Sequence, residues 1–203
     1  MFRHIVIPLD GSLRAEEALP VATRLARASG GQLTLLRVVP PTIELDVRPM
    51  PLTTAAELAS EEDIARANDY LARIVTSKDF EGINIHTEVL SGPVAKTILL
   101  FAYLQHVDLI AICSRGITGL KHWALGSVAE KVARHSPIPV LVLHEDGPKL
   151  TITHETPTHA VRLLVPLDGS ALAEAALTPA AQLCAALAAP ARGALHLCQV
   201  LRL

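Results

Sequence analysis

The chain has 203 residues, of which 50% are hydrophobic and 19% charged, and its formal net charge is -2. This composition is typical of a folded globular protein and excludes a disordered chain. The near-neutral charge excludes a broad basic surface, and the 3% of aromatic residues offers no stacking platform. Binding to nucleic acid or to an anionic membrane surface is therefore not expected.

The cysteines and the N-terminus bear on the compartment. Cys113, Cys184 and Cys198 are an odd number without metal-ligand spacing, which argues against a disulfide framework and fits a reducing environment. The apolar run at residues 4–9 is too short for a signal peptide, and no run reaches the roughly 20 apolar residues of a membrane span. We expect a soluble, cytoplasmic protein that does not associate with membranes.

Apolar runs alternate with segments of helical periodicity through the first 144 residues. The predicted strands cover residues 4–9, 33–39, 83–89, 107–112 and 139–144. The predicted helices cover residues 15–26 and 54–77, and two more begin at Pro93 and Ser127. Strands joined by helices imply parallel pairing, and hence an open α/β sheet covered on both faces.

Three of the predicted strands end in residues that bear on ligand binding. Asp10, Val38 and Cys113 all fall at carboxyl ends, and ligands of open α/β sheets bind there, where the strand order reverses. The Asp10 carboxylate is suited to accept hydrogen bonds from ribose hydroxyls. The alternative is that Asp10 serves only as an N-terminal cap of the following helix.

A small-residue loop precedes the helix that begins at Ser127. Residues 113–116 (Cys-Ser-Arg-Gly) are followed by nine residues and then by Gly126 and Ser127, with Ser127 and Glu130 spaced as a capping box. The first N–H groups of a helix lack intrahelical partners and carry partial positive charge, so an anionic group can dock there without a lysine. The alternative is a tight turn with a good helix cap.

The sequence repeats itself after a linker predicted at residues 146–160. Residues 163–170 match residues 5–12 at a constant offset, which places Asp168 in the position of Asp10. We interpret residues 161–203 as a partial second copy (β-α-β) without a glycine loop and therefore without a ligand site. Because one such unit cannot bury its apolar faces, it should pack against the first domain, residues 1–145, or exchange with another copy of the chain.

The region from Asp108 to Leu143 resembles the signature region of the universal stress protein family, whose nucleotide-binding members carry G-x2-G-x9-G-[S/T]. Gly116, Gly126 and Ser127 match this motif, and Cys113 stands in place of its first glycine. The resemblance implies an open, doubly wound, Rossmann-like sheet of five parallel strands in the order 3-2-1-4-5.

The same resemblance implies an adenine-nucleotide site, with ATP as the first candidate, ADP or AMP as alternatives, and Mg²⁺ carried in with the phosphates. Val38 would offer its backbone to the adenine edge, and Arg115 would lie along the phosphate path. The implied nucleotide-binding residues are Pro8, Leu9, Asp10, Val38, Ile112, Cys113, Arg115, Gly116, Gly126, Ser127 and Val128. No protein metal site is predicted, because the linker histidines are not fixed by any strand or helix.

The predicted function is a regulatory, stress-response module that binds adenine nucleotide and hydrolyses ATP slowly at most, since no catalytic set of residues is evident. The alternative is a dimerisation or scaffold module of the same fold in which Cys113 blocks the approach of ribose. A homodimer is expected in either case, formed through strand five or by exchange of the C-terminal segment.

Overall fold

A computed structural model describes residues 2–41, 60–78, 80–114, 125–144 and 161–199. The strands of the first part are β1 (His4–Pro8), β2 (Gln32–Val39), β3 (Asn84–Ser91), β4 (Leu109–Cys113) and β5 (Val140–Leu143). Its helices are α1 (Leu13–Glu16), α2 (Ala18–Ser29), α3 (Glu61–Ser77), α4 (Val94–Leu104) and α5 (Ser127–His135). The second part contains β6 (Arg162–Leu167), α6 (Ala171–Glu174), α7 (Leu177–Ala188) and β7 (Ala194–Gln199).

The five strands of the first part form one parallel sheet in the order β3-β2-β1-β4-β5. This confirms the predicted fold class and strand order. Successive side chains of a strand point to opposite faces, so Ile5 and Ile7 pack beneath α2 and α3 while Val6 packs with α4 and α5. Strand order reverses between β1 and β4, which places the switch point at the carboxyl ends of these strands.

The start of α3 differs from the prediction. Ser60 has extended backbone angles (φ -63°, ψ 150°), and its hydroxyl accepts a hydrogen bond from the N–H of Asp63 at 3.1 Å, so the helix begins at Glu61. The predicted start at Thr54, which lies outside the described residues, is wrong. The sequence offers two capping-box signals here, one at Thr54 and one at Ser60. Three acidic residues follow Ser60 in the first turn of α3, where the helix dipole favours negative charge, and this favours the start after Ser60.

The second part repeats the order of the first: β6, α6, α7 and β7 follow one another as β1, α1, α2 and β2 do. Its two strands form a separate parallel sheet. Helix α7 packs against α2, so that Ala186 and Leu187 belong to the main core of the first part. The Arg24 Nη2 atom also donates to the backbone oxygen of Ala189 at 3.1 Å. Of the two predicted arrangements, the structure has residues 161–199 packed on the first part of the same chain; the linker predicted at residues 146–160 lies outside the described residues.

One helical stretch of the described residues, Ala171–Ala188, has the length and apolar composition of a membrane span, with a mean hydropathy of 1.4. No run of this length and composition was predicted from the sequence, and this stretch was overlooked. A single stretch of this kind is weak evidence, because core helices of soluble proteins have the same composition. The stretch here comprises α6 and α7, and α7 contributes to the core described above.

Candidate functional site

A cavity of about 380 Å³ lies at the carboxyl ends of β1, β2 and β4, beside the start of α5. Every predicted site residue within the described part of the chain lines it: Pro8, Leu9, Asp10, Val38, Ile112, Cys113, Gly126, Ser127 and Val128. The other two, Arg115 and Gly116, lie outside the described residues. Four separate stretches of the sequence, residues 8–10, 38, 112–113 and 126–128, therefore meet around one cavity at the switch point.

The turn after β1 holds the carboxylate of Asp10. The Oδ1 atom accepts hydrogen bonds from the backbone N–H of Ser12 at 3.0 Å and from its hydroxyl at 2.6 Å. The Ser12 hydroxyl oxygen in turn accepts from the N–H of Ala15 at 3.1 Å, so Ser12 is the N-cap of α1. The alternative interpretation, in which Asp10 caps the helix, is therefore wrong. Ser12 is the cap, and Asp10 holds Ser12 in place through the two hydrogen bonds. Gly11, at φ 87°, supplies the left-handed conformation that the turn requires.

One wall of the cavity is apolar. Val38, Ile98 and Ile112 line it, and all three belong to the apolar cluster between the sheet and helices α4 and α5. The N–H of Leu9 donates to the backbone oxygen of Leu36 at 2.8 Å, which keeps the ends of β1 and β2 together. This wall is suited to the flat, weakly polar face of a ring.

The start of α5 forms another wall, and its cap differs from the prediction. Gly126 is the N-cap (φ -59°, ψ 151°), Ser127 is the first helical residue, and no side chain of the described residues caps the helix. The predicted capping box is wrong, because Ser127 already lies within the helix and Glu130 pairs with Arg134 at 2.9 Å instead. The N–H of Gly126 donates to the backbone oxygen of Ser114 at 2.6 Å, which fixes the helix start to the end of β4.

The geometry at the start of α5 determines what it can bind. A glycine cap leaves the first-turn N–H groups without a side-chain acceptor, and Ser127, Val128 and Ala129 of this turn line the cavity. Such groups, together with the helix dipole, stabilise an anion.

Cys113 stands at the end of β4, where its side chain is 9% exposed. Its Sγ atom lies 3.8 Å from the backbone oxygen of Ala15, to which the thiol donates. The thiol is thus directed toward α1 as well as lining the cavity.

Beyond the turn, α3 is tied to α1 by polar side chains. The Tyr70 hydroxyl donates to Glu16 Oε1 at 3.4 Å, and Lys78 Nζ lies 3.3 Å from Glu16 Oε2. Burial, and then the neighbouring carboxylates of Glu16 and Asp10, raise the pKa of Tyr70 well above its usual value. Tyr70 therefore stays protonated and remains a hydrogen-bond donor.

Sequence reasoning missed several residues that line the cavity: Ala15, Leu36, Arg37, Pro40, Val94, Ile98, Ser114 and Ala129. Most are apolar side chains, and three of them, Val94, Ile98 and Ala129, reach the cavity only through the packing of α4 and α5 on the sheet. Arg37 is different, because a charged residue within the apolar run of β2 is a visible signal.

These features define a class of protein: an open α/β protein whose switch-point cavity combines an apolar wall, a braced carboxylate and an uncapped helix N-terminus. Such a cavity suits a ligand with a flat ring and an anionic tail. Within the described residues, no group of three or more His, Cys, Asp or Glu side chains is arranged to hold a metal ion.

Comparison with known proteins assigns the family. The model of the universal stress protein family matches residues 1–144, and the chain belongs to that family. Universal stress protein MJ0531 of Methanocaldococcus jannaschii is 35% identical over 146 residues, which cover 70% of this chain and 82% of that protein.

Solved structures show the same relationship. The universal stress protein UspA from Lactobacillus plantarum is 26% identical, with a TM-score of 0.57 over 70% of this chain and 97% of the other. The universal stress protein from Archaeoglobus fulgidus in complex with dAMP shares the fold at 23% identity, with a TM-score of 0.51 over 70% and 97% of the two chains.

Proposed function

We propose that the cavity at the carboxyl ends of β1, β2 and β4 binds an adenine nucleotide, with ATP as the first candidate and ADP or AMP as alternatives. One observation carries the proposal: the carboxylate of Asp10 and the uncapped first turn of α5 line the same cavity. The first group suits ribose hydroxyls and the second suits phosphates, so together they match the two polar parts of a nucleotide.

The remaining parts of the ligand follow from this placement. The adenine ring would lie along the apolar wall, with the backbone of Val38 facing its polar edge. The phosphates would lie at Gly126, Ser127 and Val128, and Mg²⁺ would enter with them, since that ion is usually held by substrate phosphates and few protein groups. The cavity volume of about 380 Å³ falls in the range of small-molecule sites, roughly 300–1,000 Å³.

The position of the Cys113 thiol is compatible with this ligand. Its Sγ atom donates toward the backbone oxygen of Ala15, and the side chain is only 9% exposed. A small side chain turned toward α1 leaves the ribose path open, which weighs against the idea that Cys113 blocks the site. The Archaeoglobus fulgidus family member with dAMP, which shares the fold, adds support for an adenine ligand.

We infer a regulatory role from membership of the family: the cytoplasmic protein would respond to bound nucleotide through its conformation or assembly, and hydrolyse ATP slowly at most. The test is to denature the freshly purified protein and identify the released small molecules by chromatography. Recovery of ATP, ADP or AMP in near-stoichiometric amount is the expected result. Absence of any nucleotide, together with no heat on titration with millimolar Mg-ATP, would overturn the proposal.

A second candidate function is a dimerisation or scaffold module that binds no nucleotide. The position of β5 favours it, because among the described strands this one pairs only with β4, and all its residues are partly exposed. Its free edge could pair with β5 of a second copy. The oligomeric state can be measured by light scattering with and without nucleotide. A dimer under both conditions would show that assembly does not depend on ligand binding.

We also propose that residues 161–203 are a partial second copy of the family fold that holds no ligand. Its element order supports this interpretation, and so does the full exposure of Asp168. The second copy would then serve as a packing partner of α2 rather than as a second sensor.

A further inference from the structure

Arg37 is the one positively charged side chain among the described residues that line the cavity. It lies near the end of β2 between two buried residues, Leu36 and Val38, and is itself half-buried. A strand position that could hold an apolar residue thus carries a guanidinium group whose desolvation has to be offset by hydrogen bonding.

The guanidinium is hydrogen-bonded to the backbone immediately before Asp10. Its Nη1 atom donates to the backbone oxygen of Leu9 at 3.1 Å. Its Nη2 atom lies 3.8 Å from the position that a Cβ on Gly11 would occupy. Arg37 thereby ties the turn that carries Asp10 to the neighbouring strand.

The second copy offers an internal control for this contact. Gln199 occupies the position of Arg37, opposite Leu167 in the register of β6 and β7. The Asp168 turn still forms, because the N–H of Ser170 donates to Asp168 Oδ1 at 2.9 Å. Within residues 161–199, Gln199 Nε2 lies 3.2 Å from the position that a Cβ on Gly169 would occupy, but no hydrogen bond joins Gln199 to Leu167 O.

Both side chains approach their turn, so the contrast between the two copies is confined to the hydrogen bond from Arg37 to Leu9 O. If the arginine were required to form the turn, the second turn should also have one. The Asp168 turn nevertheless forms with Gln199 in that position, and Asp168 is fully exposed. The hydrogen bond from the arginine is thus present in the copy whose aspartate lines a cavity.

We propose that Arg37 is a positioning residue of the ligand site, which holds the backbone of Leu9 against β2 and so keeps the Asp10 carboxylate oriented toward the ligand. The proposal rests on the proposed nucleotide-binding function and deepens it. Arg37 acts through Asp10, so its effect should disappear when Asp10 is absent.

The test compares Arg37→Gln, which installs the residue of the second copy, with the conservative Arg37→Lys. Arg24→Gln on the surface of α2 is the matched control. Two quantities are measured: the Kd for Mg-ATP by calorimetry, and the amide hydrogen exchange of Ser12 in the ligand-free protein. Arg37→Gln should weaken binding about tenfold, the size expected for losing one charge-assisted hydrogen bond, and should speed Ser12 exchange. Arg37→Lys should restore part of both, and Arg24→Gln should change neither.

A double variant distinguishes positioning from a direct contact with the ligand. If Arg37 acts through Asp10, adding Arg37→Gln to Asp10→Ala should weaken binding no further. Fully additive losses, or unchanged Kd and Ser12 exchange in Arg37→Gln, would overturn the proposal. If the parent protein binds no adenine nucleotide, the proposed function fails, and the Ser12 exchange of Arg37→Gln alone still decides whether Arg37 holds the turn.

Discussion

Residues 8–12 and residues 166–170 share the sequence Pro-Leu-Asp-Gly-Ser, and each forms the turn between a strand and a short helix. The local geometry is the same in both. The serine hydroxyl accepts from the N–H three residues later at 3.1 Å in each turn. The glycines adopt φ values of 87° and 84°. In the second turn, the hydrogen bond from the Ser170 hydroxyl is the main cause that lowers the pKa of Asp168.

The surroundings of the two turns differ. Val6, on the strand before the first turn, is fully buried beneath α4 and α5, whereas its counterpart Leu164 is 68% exposed. Asp10 lines a cavity, and Asp168 is fully exposed. Five residues thus determine a turn and a helix cap, but the cavity needs the walls that β4 and α5 add around the first turn.

The variant Gly126→Val should have the largest effect on nucleotide binding, because it changes a wall of the cavity that the second turn lacks. A branched side chain at the N-cap of α5 would occupy the space where phosphate approaches the first-turn N–H groups, so Mg-ATP affinity should fall about 100-fold or more, comparable to losing two charge-assisted hydrogen bonds. Calorimetry measures the affinity, and circular dichroism checks that the variant is folded. A folded variant with the parent's affinity would rule out the start of α5 as the phosphate site.

The matched pair Asp10→Ala and Asp168→Ala tests the comparison directly. Loss of the Asp10 carboxylate should weaken nucleotide binding by about 2 kcal/mol, or roughly 30-fold, because hydrogen bonds to a charged acceptor are lost. Asp168→Ala removes the same brace from the exposed turn and should leave binding unchanged. Equal effects of the two variants in the same titration would contradict the assignment of the site to the first copy.

The dependence of the second copy on the first can be tested at α7. Leu187 is 7% exposed within the shared core, so Leu187→Ala should lower the free energy of unfolding by about 2 kcal/mol. Leu172, 86% exposed on α6, is the matched control, and Leu172→Ala should change stability by less than about 0.5 kcal/mol. Urea unfolding measures both, and similar values for the two variants would show that α7 does not share the core of the first domain.

The smallest expected effect concerns His4, whose counterpart in the second copy is Arg162. Burial lowers the pKa of His4 below 6.5, while a hydrogen bond to Gln105 and the charge of Asp108 oppose the shift. The unfolded chain therefore binds the proton more readily, so stability should fall as the pH drops below about 6.5. The variant His4→Gln should flatten this part of the stability profile in urea unfolding at pH 5 to 7. A profile identical to that of the parent would exclude His4 as its cause.

Periodicity and turn chemistry were sufficient to predict the alternation of strands and helices, and with it the meeting of Asp10, Val38 and Cys113 around one cavity. The motif resemblance supplied the strand order and pointed to Gly126. Helix starts were less predictable, because Thr54 and Ser60 carry competing cap signals and Ser127 fits either an N-cap or a first helical residue. Arg37 is visible in the sequence as a charge within the apolar run of β2, but its partner, the backbone oxygen of Leu9 after β1, could not be predicted from a local pattern.

The most direct test of the account is a calorimetric titration of the nucleotide-stripped protein with Mg-ATP, read for its stoichiometry. We expect one nucleotide per chain, bound at the first Pro-Leu-Asp-Gly-Ser turn, with its affinity weakened in Asp10→Ala and unchanged in Asp168→Ala. Two nucleotides per chain, or no detectable binding at millimolar ATP, would contradict it.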